Sequence, residues 1–317
     1  MSGPLGLAVV HMQSIRLVIT EERIFKMFLV LGTHLLFLNI NLAMMFTLWM
    51  KPSFRNTTRY ILFAHMLFND SLHLAMGMLL YTLGALYVLV VRVACAFMVL
   101  LSSSTFTNAP LNLAVMSLER YTAICFPLRH SELATTGRTR QAVVLVWALG
   151  IVNVLIDVCA LFLAGPSFFL SPAVCTLEQL HTAGWQQEKG TALNTLLFVA
   201  VAAVLIYTYV AIVMEARSAS SSDPRSARRA LHTVLLHVLQ LGLCLMSFLY
   251  VELEALLAKL PPAVFVQLRF VNFFVVLILP RCLSSIIYGL RDEAFRAALW
   301  QHFTCRSVRR VGLSTKN

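Results

Sequence analysis

Apolar residues occupy this chain in long blocks separated by short polar stretches. Seven blocks approach or exceed the roughly 20 residues a helix needs to cross a bilayer core: positions 26–50, 60–83, 93–121, 141–163, 191–214, 230–250 and 263–290. They predict an all-α membrane protein built as a seven-transmembrane helix bundle. Beyond the last block, Phe295, Leu299 and Phe303 recur at four-residue spacing amid Arg296 and Arg306. That spacing predicts a short amphipathic eighth helix lying on the inner leaflet. The division expected is an extracellular amino terminus over 1–25, a membrane domain over 26–290, and a cytoplasmic helix and tail over 291–317.

Composition agrees, with 59% hydrophobic and only 12% charged residues, too apolar for an ordinary soluble domain. The net charge of +11 does not point to nucleic acid, because the basic residues are scattered through the connections and form no basic face. With the amino terminus outside, the inner segments carry 17 of the 25 Lys and Arg and the outer ones 7, a positive-inside bias. Arg281 falls within the last block and is outside this comparison. No cleavable leader is evident, so the first helix is expected to direct insertion. The sequon Asn56-Thr57-Thr58 falls in an inner loop, away from glycosylation. The 7 cysteines are too dispersed for a disulfide scaffold and include no C-x-x-C pair.

Polar residues inside the blocks are the candidates for function. Asn39 and Asn41 lie in the first block and Asp70 lies near the middle of the second, where an ionisable group reads as functional by default. The plainer reading is a hydrogen-bonded Asp70 that fixes packing. The third block carries the run Ser102-Ser103-Ser104-Thr105-Phe106-Thr107-Asn108, either glue between helices or the wall of a polar cavity, followed by Pro110. Asp157, near the outer end of the fourth block, reads equally as a partner for a cationic ligand group, as a snorkelling carboxylate, or as a bond to a neighbouring helix. Glu119-Arg120 ends the long apolar run of the third block, and Phe126-Pro127-Leu128 stops the helix beyond it.

The stretch from Met116 to His130, MSLERYTAICFPLRH, resembles the inner end of the third helix of rhodopsin-like G-protein-coupled receptors. Its wording is that of the odorant receptors, and 230–245 resembles the sixth helix of the fish-type branch. Cys95, 25 residues before Arg120, and Trp147, 27 after it, stand where that family carries its third-helix cysteine and fourth-helix tryptophan. The tail Ser284-Ser285-Ile286-Ile287-Tyr288-Gly289-Leu290-Arg291 is similar to the family's N-P-x-x-Y ending, with serines replacing Asn and Pro and with Pro280 left to bend the helix a turn earlier.

The resemblance implies a Cys95–Cys175 disulfide clamping the second outer loop, and a polar network of Asn41, Asp70 and Ser284. A sodium ion near Asp70 is the one cofactor it admits; no catalytic residue or metal centre is expected. Ser102, Ser103, Phe106 and Thr107 would face a small odorant ligand, joined by Asp157, Glu178, Phe270, Phe273 and Phe274. Ser102 stands where amine receptors carry an aspartate, which disfavours an ordinary amine. Glu119 would hold Arg120 at rest, beside Tyr121, and release it to face Tyr207 or Tyr209 and a heterotrimeric G protein, while Tyr288 swings inward. The transducer implied is a stimulatory olfactory type acting through cyclic AMP, and the location a plasma membrane crossed several times. A receptor for a non-odorant ligand is the nearest alternative. A transporter or channel is weaker, since the chain shows no ring of like residues and no inverted repeat.

Overall fold

A bilayer core is about 30 Å thick, and at 1.5 Å per residue a 28-residue helix reaches ~42 Å, so each long helix of this protein has length to spare. The computed structural model describes residues 21–163, 170–176, 183–220, 239, 242–243, 245–246, 249–291 and 293–303. Helix α1 spans Glu21–Met50, α2 Thr58–Ala85, α3 Arg92–Cys125, α4 Thr136–Leu163 and α5 Gly184–Ser220. Helix α6 is described over Leu249–Leu257; most of the sixth expected block lies outside the described residues. Helix α7 runs through Pro262–Val271, a π-helical stretch Asn272–Ile278, and Leu279–Arg291. Helix α8 is Glu293–Phe303.

Among the described residues, five spans are long and apolar enough to cross a membrane: Glu21–Met50, Arg92–Cys125, Thr136–Leu161, Gly184–Glu215 and Pro262–Ile287. Helix α2 has the length but is more polar, since it carries His65, Asn69, Asp70, Ser71 and His73. Large side chains on the outward faces, among them Phe28, Leu36, Val144, Leu196 and Val199, are exposed, as lipid-facing positions must be. The helices overrun the apolar blocks. Helix α5 starts at Gly184 and α3 continues to Cys125, because hydropathy marks the buried length and helical geometry continues into water.

Helix α3 is the central post and packs against α2, α4 and α5. Its buried positions are mostly small or polar, including Ser104, Thr107, Asn108, Ala109, Asn112, Ala114 and Ser117, and small side chains let helix backbones approach. The hydroxyls of the polar run turn back on their own helix. Ser104 donates to Leu100 O at 2.6 Å, Thr105 to Leu101 O at 2.8 Å and Thr107 to Ser103 O at 3.2 Å.

At the end of the bundle expected to face outward, β1 (Leu89–Val91) pairs antiparallel with β2 (Pro172–Val174), Leu89 opposite Val174. At the opposite end, the one expected to face inward, α8 turns its apolar face to the bundle. Phe295 is wholly buried and meets Phe63 edge-on at 5.2 Å between centroids, in a cluster with Met44, Phe54 and Tyr60. The amphipathic helix expected to lie on lipid therefore spends its first aromatic on the bundle, while Trp300 is 70% exposed.

In α7 the wide turn sits immediately before Pro280. Proline has no N–H for the carbonyl four residues back and its ring crowds that carbonyl. The helix widens instead, and Leu279 N–H reaches Phe274 O, a five-residue step.

Candidate functional site

The outer face is tied by covalent and polar bonds. Cys95 and Cys175 form a disulfide, with 5.3 Å between their Cα atoms. Both are buried, against Ala96, Val99 and Leu161. The same loop is fixed by Arg92 N–H donating to Ser171 O at 3.3 Å and by the Arg92 guanidinium on Ser171 Oγ. Lys26 joins α1 to α7, donating to Glu22 Oε1 at 2.5 Å and Gln267 Oε1 at 2.7 Å. On the α6–α7 side, Arg269 pairs with Glu254 at 2.6 Å. Lys26 with Glu22, and Arg269 with Glu254, thus satisfy one another at this rim.

The residues expected to face a ligand divide into groups. Ser102, Ser103 and Phe106 are half-buried on α3, and Thr107 is buried. The Phe106 ring lies 6.4 Å from His73 of α2 and 4.8 Å from the Arg281 guanidinium of α7, centroid to Cζ. Phe270, Phe273 and Phe274 pack on the α1–α2 side, with Val30, Leu74 and Tyr81, and Phe273 stacks on Tyr81 at 5.8 Å. Sequence spacing alone cannot tell which face of α7 meets which neighbour. Asp157 takes the neighbouring-helix option: Oδ1 accepts from Gln186 Nε2 at 3.0 Å and from Lys189 Nζ at 2.6 Å, so it ties α4 to α5 and its carboxylate is committed to them. Lys189 also donates to Asn153 O at 2.8 Å. Glu178 lies outside the described residues.

The middle of the bundle is a polar junction of α2, α3 and α7. Asp70 Oδ2 accepts from Ser285 Oγ at 3.1 Å; the side chain of Ser284, the expected partner, lies outside the described set. Asn69 Nδ2 donates to Thr105 O at 3.0 Å, and His73 Nδ1 donates to Thr105 Oγ1 at 3.1 Å and Ser102 O at 3.3 Å. Of the two first-helix asparagines, Asn41 is buried, while Asn39 is satisfied on its own helix by Leu35 O at 2.7 Å. A second junction joins α2, α3 and α4. Trp147 Nε1, which can only donate, gives its proton to His65 Nε2 at 2.9 Å. The His65 proton therefore sits on Nδ1 and is donated to Asn112 Oδ1 at 2.9 Å. Among the described residues, no group of His, Cys, Asp and Glu is arranged to hold a metal ion.

At the inner end, Glu119 is gripped from three sides. Arg120 Nε lies 4.0 Å from Oε2, His130 Nε2 3.3 Å from Oε1, and Thr58 Oγ1 donates to Oε1 at 3.4 Å. His130 returns to α3 because the turn Pro127–Arg129 folds the chain back. Tyr121 and Tyr207 hydroxyls meet at 3.1 Å, and Ser117 bonds Thr208 at 2.9 Å, joining α3 to α5. Between the two tyrosines the sequence left open, Tyr207 is the one beside Tyr121. The Tyr288 side chain lies outside the described set. Sequence reading missed Thr58, His130, Arg281 and Ser285; Arg281 alone carried a visible signal, as a charge inside an apolar block.

Comparison with known proteins gives a consistent set. Residues 40–289 match the family described as 7 transmembrane receptor (rhodopsin family). The chain is 34% identical over 273 residues to Odorant receptor 131-2 of Danio rerio, covering 84% of this chain and 82% of that one. It is 26% identical over 207 residues to Olfactory receptor 2M3 of Homo sapiens, 63% of this chain and 64% of that one. It is also 34% identical to Growth hormone secretagogue receptor type 1 of Oryctolagus cuniculus over 76 residues, 24% of this chain and 18% of that one.

Proposed function

The chain belongs to the rhodopsin family of seven-transmembrane receptors, among its odorant receptors, and from that premise we propose that it binds a small odorant from the outer side and activates a stimulatory, olfactory-type G protein that raises cyclic AMP. It is a chemosensory membrane receptor and not an enzyme. The amino terminus faces outward, following the positive-inside distribution of Lys and Arg.

The observation that carries the mechanism is the grip on Glu119 at the foot of α3. A ligand shifts a receptor's equilibrium only by its differential affinity for the two arrangements. The inner end must therefore hold bonds that one arrangement makes and the other gives up. Glu119 with Arg120, His130 and Thr58 supplies one such set, and Tyr121 with Tyr207 another. In the resting arrangement Glu119 holds Arg120 back and Tyr207 is engaged by Tyr121. Ligand binding between Phe106 and the outer ends of the helices favours separation of the inner ends and frees Arg120 for the G protein. The disulfide keeps the second outer loop over the entrance while the helices move beneath it.

A cyclic AMP assay tests this in cells expressing the receptor with an olfactory-type G protein, against a panel of amino acids, carboxylic acids, amines and small volatiles. A dose-dependent response that falls about tenfold or more in Arg120→Ala, with ligand binding retained, is expected. An unchanged response in that variant would remove Arg120 from the coupling role.

A further inference from the structure

Arg281 lies inside the last spanning helix and is 4% exposed. Its Nη1 donates to Thr105 O at 3.4 Å, its Nη2 to Phe106 O at 2.9 Å, and its guanidinium lies over the Phe106 ring. Asp70, 3% exposed, stands within electrostatic reach of it. The two are joined through the same turn of α3: Asn69, the neighbour of Asp70, donates to the Thr105 carbonyl that also accepts from Arg281. Ser285, one turn beyond Arg281 on α7, holds Asp70 Oδ2. One carboxylate and one guanidinium thus occupy a single buried junction.

The resemblance to rhodopsin-like receptors implies a sodium ion beside Asp70, and these residues do not fit one. Asp70 Oδ2 and Thr105 O are already engaged. Among the described residues, Asp70 Oδ1 and, on α1, Asn41 Oδ1 are buried acceptors without a hydrogen-bond partner, fewer oxygens than a hard cation gathers around itself. Charge is the stronger argument. Asp70 and Arg281 sum to zero, and a further cation would leave a net positive charge in the membrane interior, where an uncompensated charge is costly. Water suits the remaining acceptors, because it donates without adding charge.

We propose that Arg281 is a built-in counter-ion of Asp70, balancing in this protein the charge that a sodium ion would otherwise balance, so that the receptor's conformational equilibrium does not respond to sodium. The proposal stands apart from the identity of the ligand.

Thermal unfolding of the purified full-length receptor tests it. In sodium chloride and in N-methylglucamine chloride at equal ionic strength, the wild-type midpoints coincide; a saturable, sodium-specific rise overturns the proposal. Arg281→Met unfolds at a lower temperature, and adding Asp70→Asn to it recovers part of the loss, because both charges are then removed together. Losses that simply add overturn it. Where Arg281→Met yields no folded protein, the yield of the double variant reads the same coupling: recovery supports the pair, and no recovery overturns it.

Discussion

Gly150 shows how closely single atoms set the spacing of this bundle. A Cβ there would overlap the Asn108 amide and come 3.0 Å from Ser104 O. The amide cannot swing away freely, since its nitrogen donates to Ser104 O at 3.1 Å and Val146 O at 2.9 Å when oriented to satisfy both. Gly150→Ala therefore pushes α4 off α3 or strips Asn108 of its partners. Overpacking of this kind costs about 1–3 kcal/mol, and the variant should unfold at a lower temperature, with Asn108→Ala in the same chain relieving the clash. The sequence shows a glycine in the fourth block, but what it faces depends on how two helices cross. The same limit hid Ser285 beside Asp70, and His130 and Thr58 around Glu119: each residue was readable, its neighbour across the bundle was not.

Elements were more legible than their faces. Long apolar blocks locate spanning helices because lipid demands continuous length, and the blocks found α1 to α5 and α7 to within a few residues to about two turns. Pro280 was legible as an irregularity in α7, although the helix answers it by widening at Asn272–Ile278. Asp157 tests what joins two elements. It is 3% exposed and held by Lys189 and Gln186, so α4 and α5 share a part-buried ion pair at their outer halves. Removing one partner of such a pair leaves an uncompensated charge and costs about 3–5 kcal/mol, whereas removing both costs much less. Lys189→Met should therefore lower delivery of the receptor to the cell surface, and Asp157→Asn with Lys189→Met should restore most of it, as surface labelling would report. Equal delivery in all the variants would show that the tie contributes nothing to folding.

At the scale of the whole molecule the bundle is asymmetric in what it locks. Its outer half is held by a disulfide, paired strands and the ion pairs of Lys26, Lys189 and Arg269. Among the described residues, the foot of α3 is held to its neighbours by single hydrogen bonds and by one carboxylate shared among three partners. Movement should then concentrate at the inner end, and weakening its bonds should shift the resting population without any ligand. Thr58→Val removes a hydrogen bond to Glu119 and His130→Ala an imidazole 3.3 Å from its carboxylate. A contact of this kind contributes about 1 kcal/mol net, which changes the ratio of two states about fivefold. Each variant should raise basal cyclic AMP severalfold at equal surface expression, and the two together more than either. Arg120→Ala placed on top of them should return the signal to background, because the released group is then missing. Basal signalling that stays at the wild-type level in both single variants and in the double would mean that Glu119 is held for stability alone, and that the resting state is guarded by Tyr121 and Tyr207 instead.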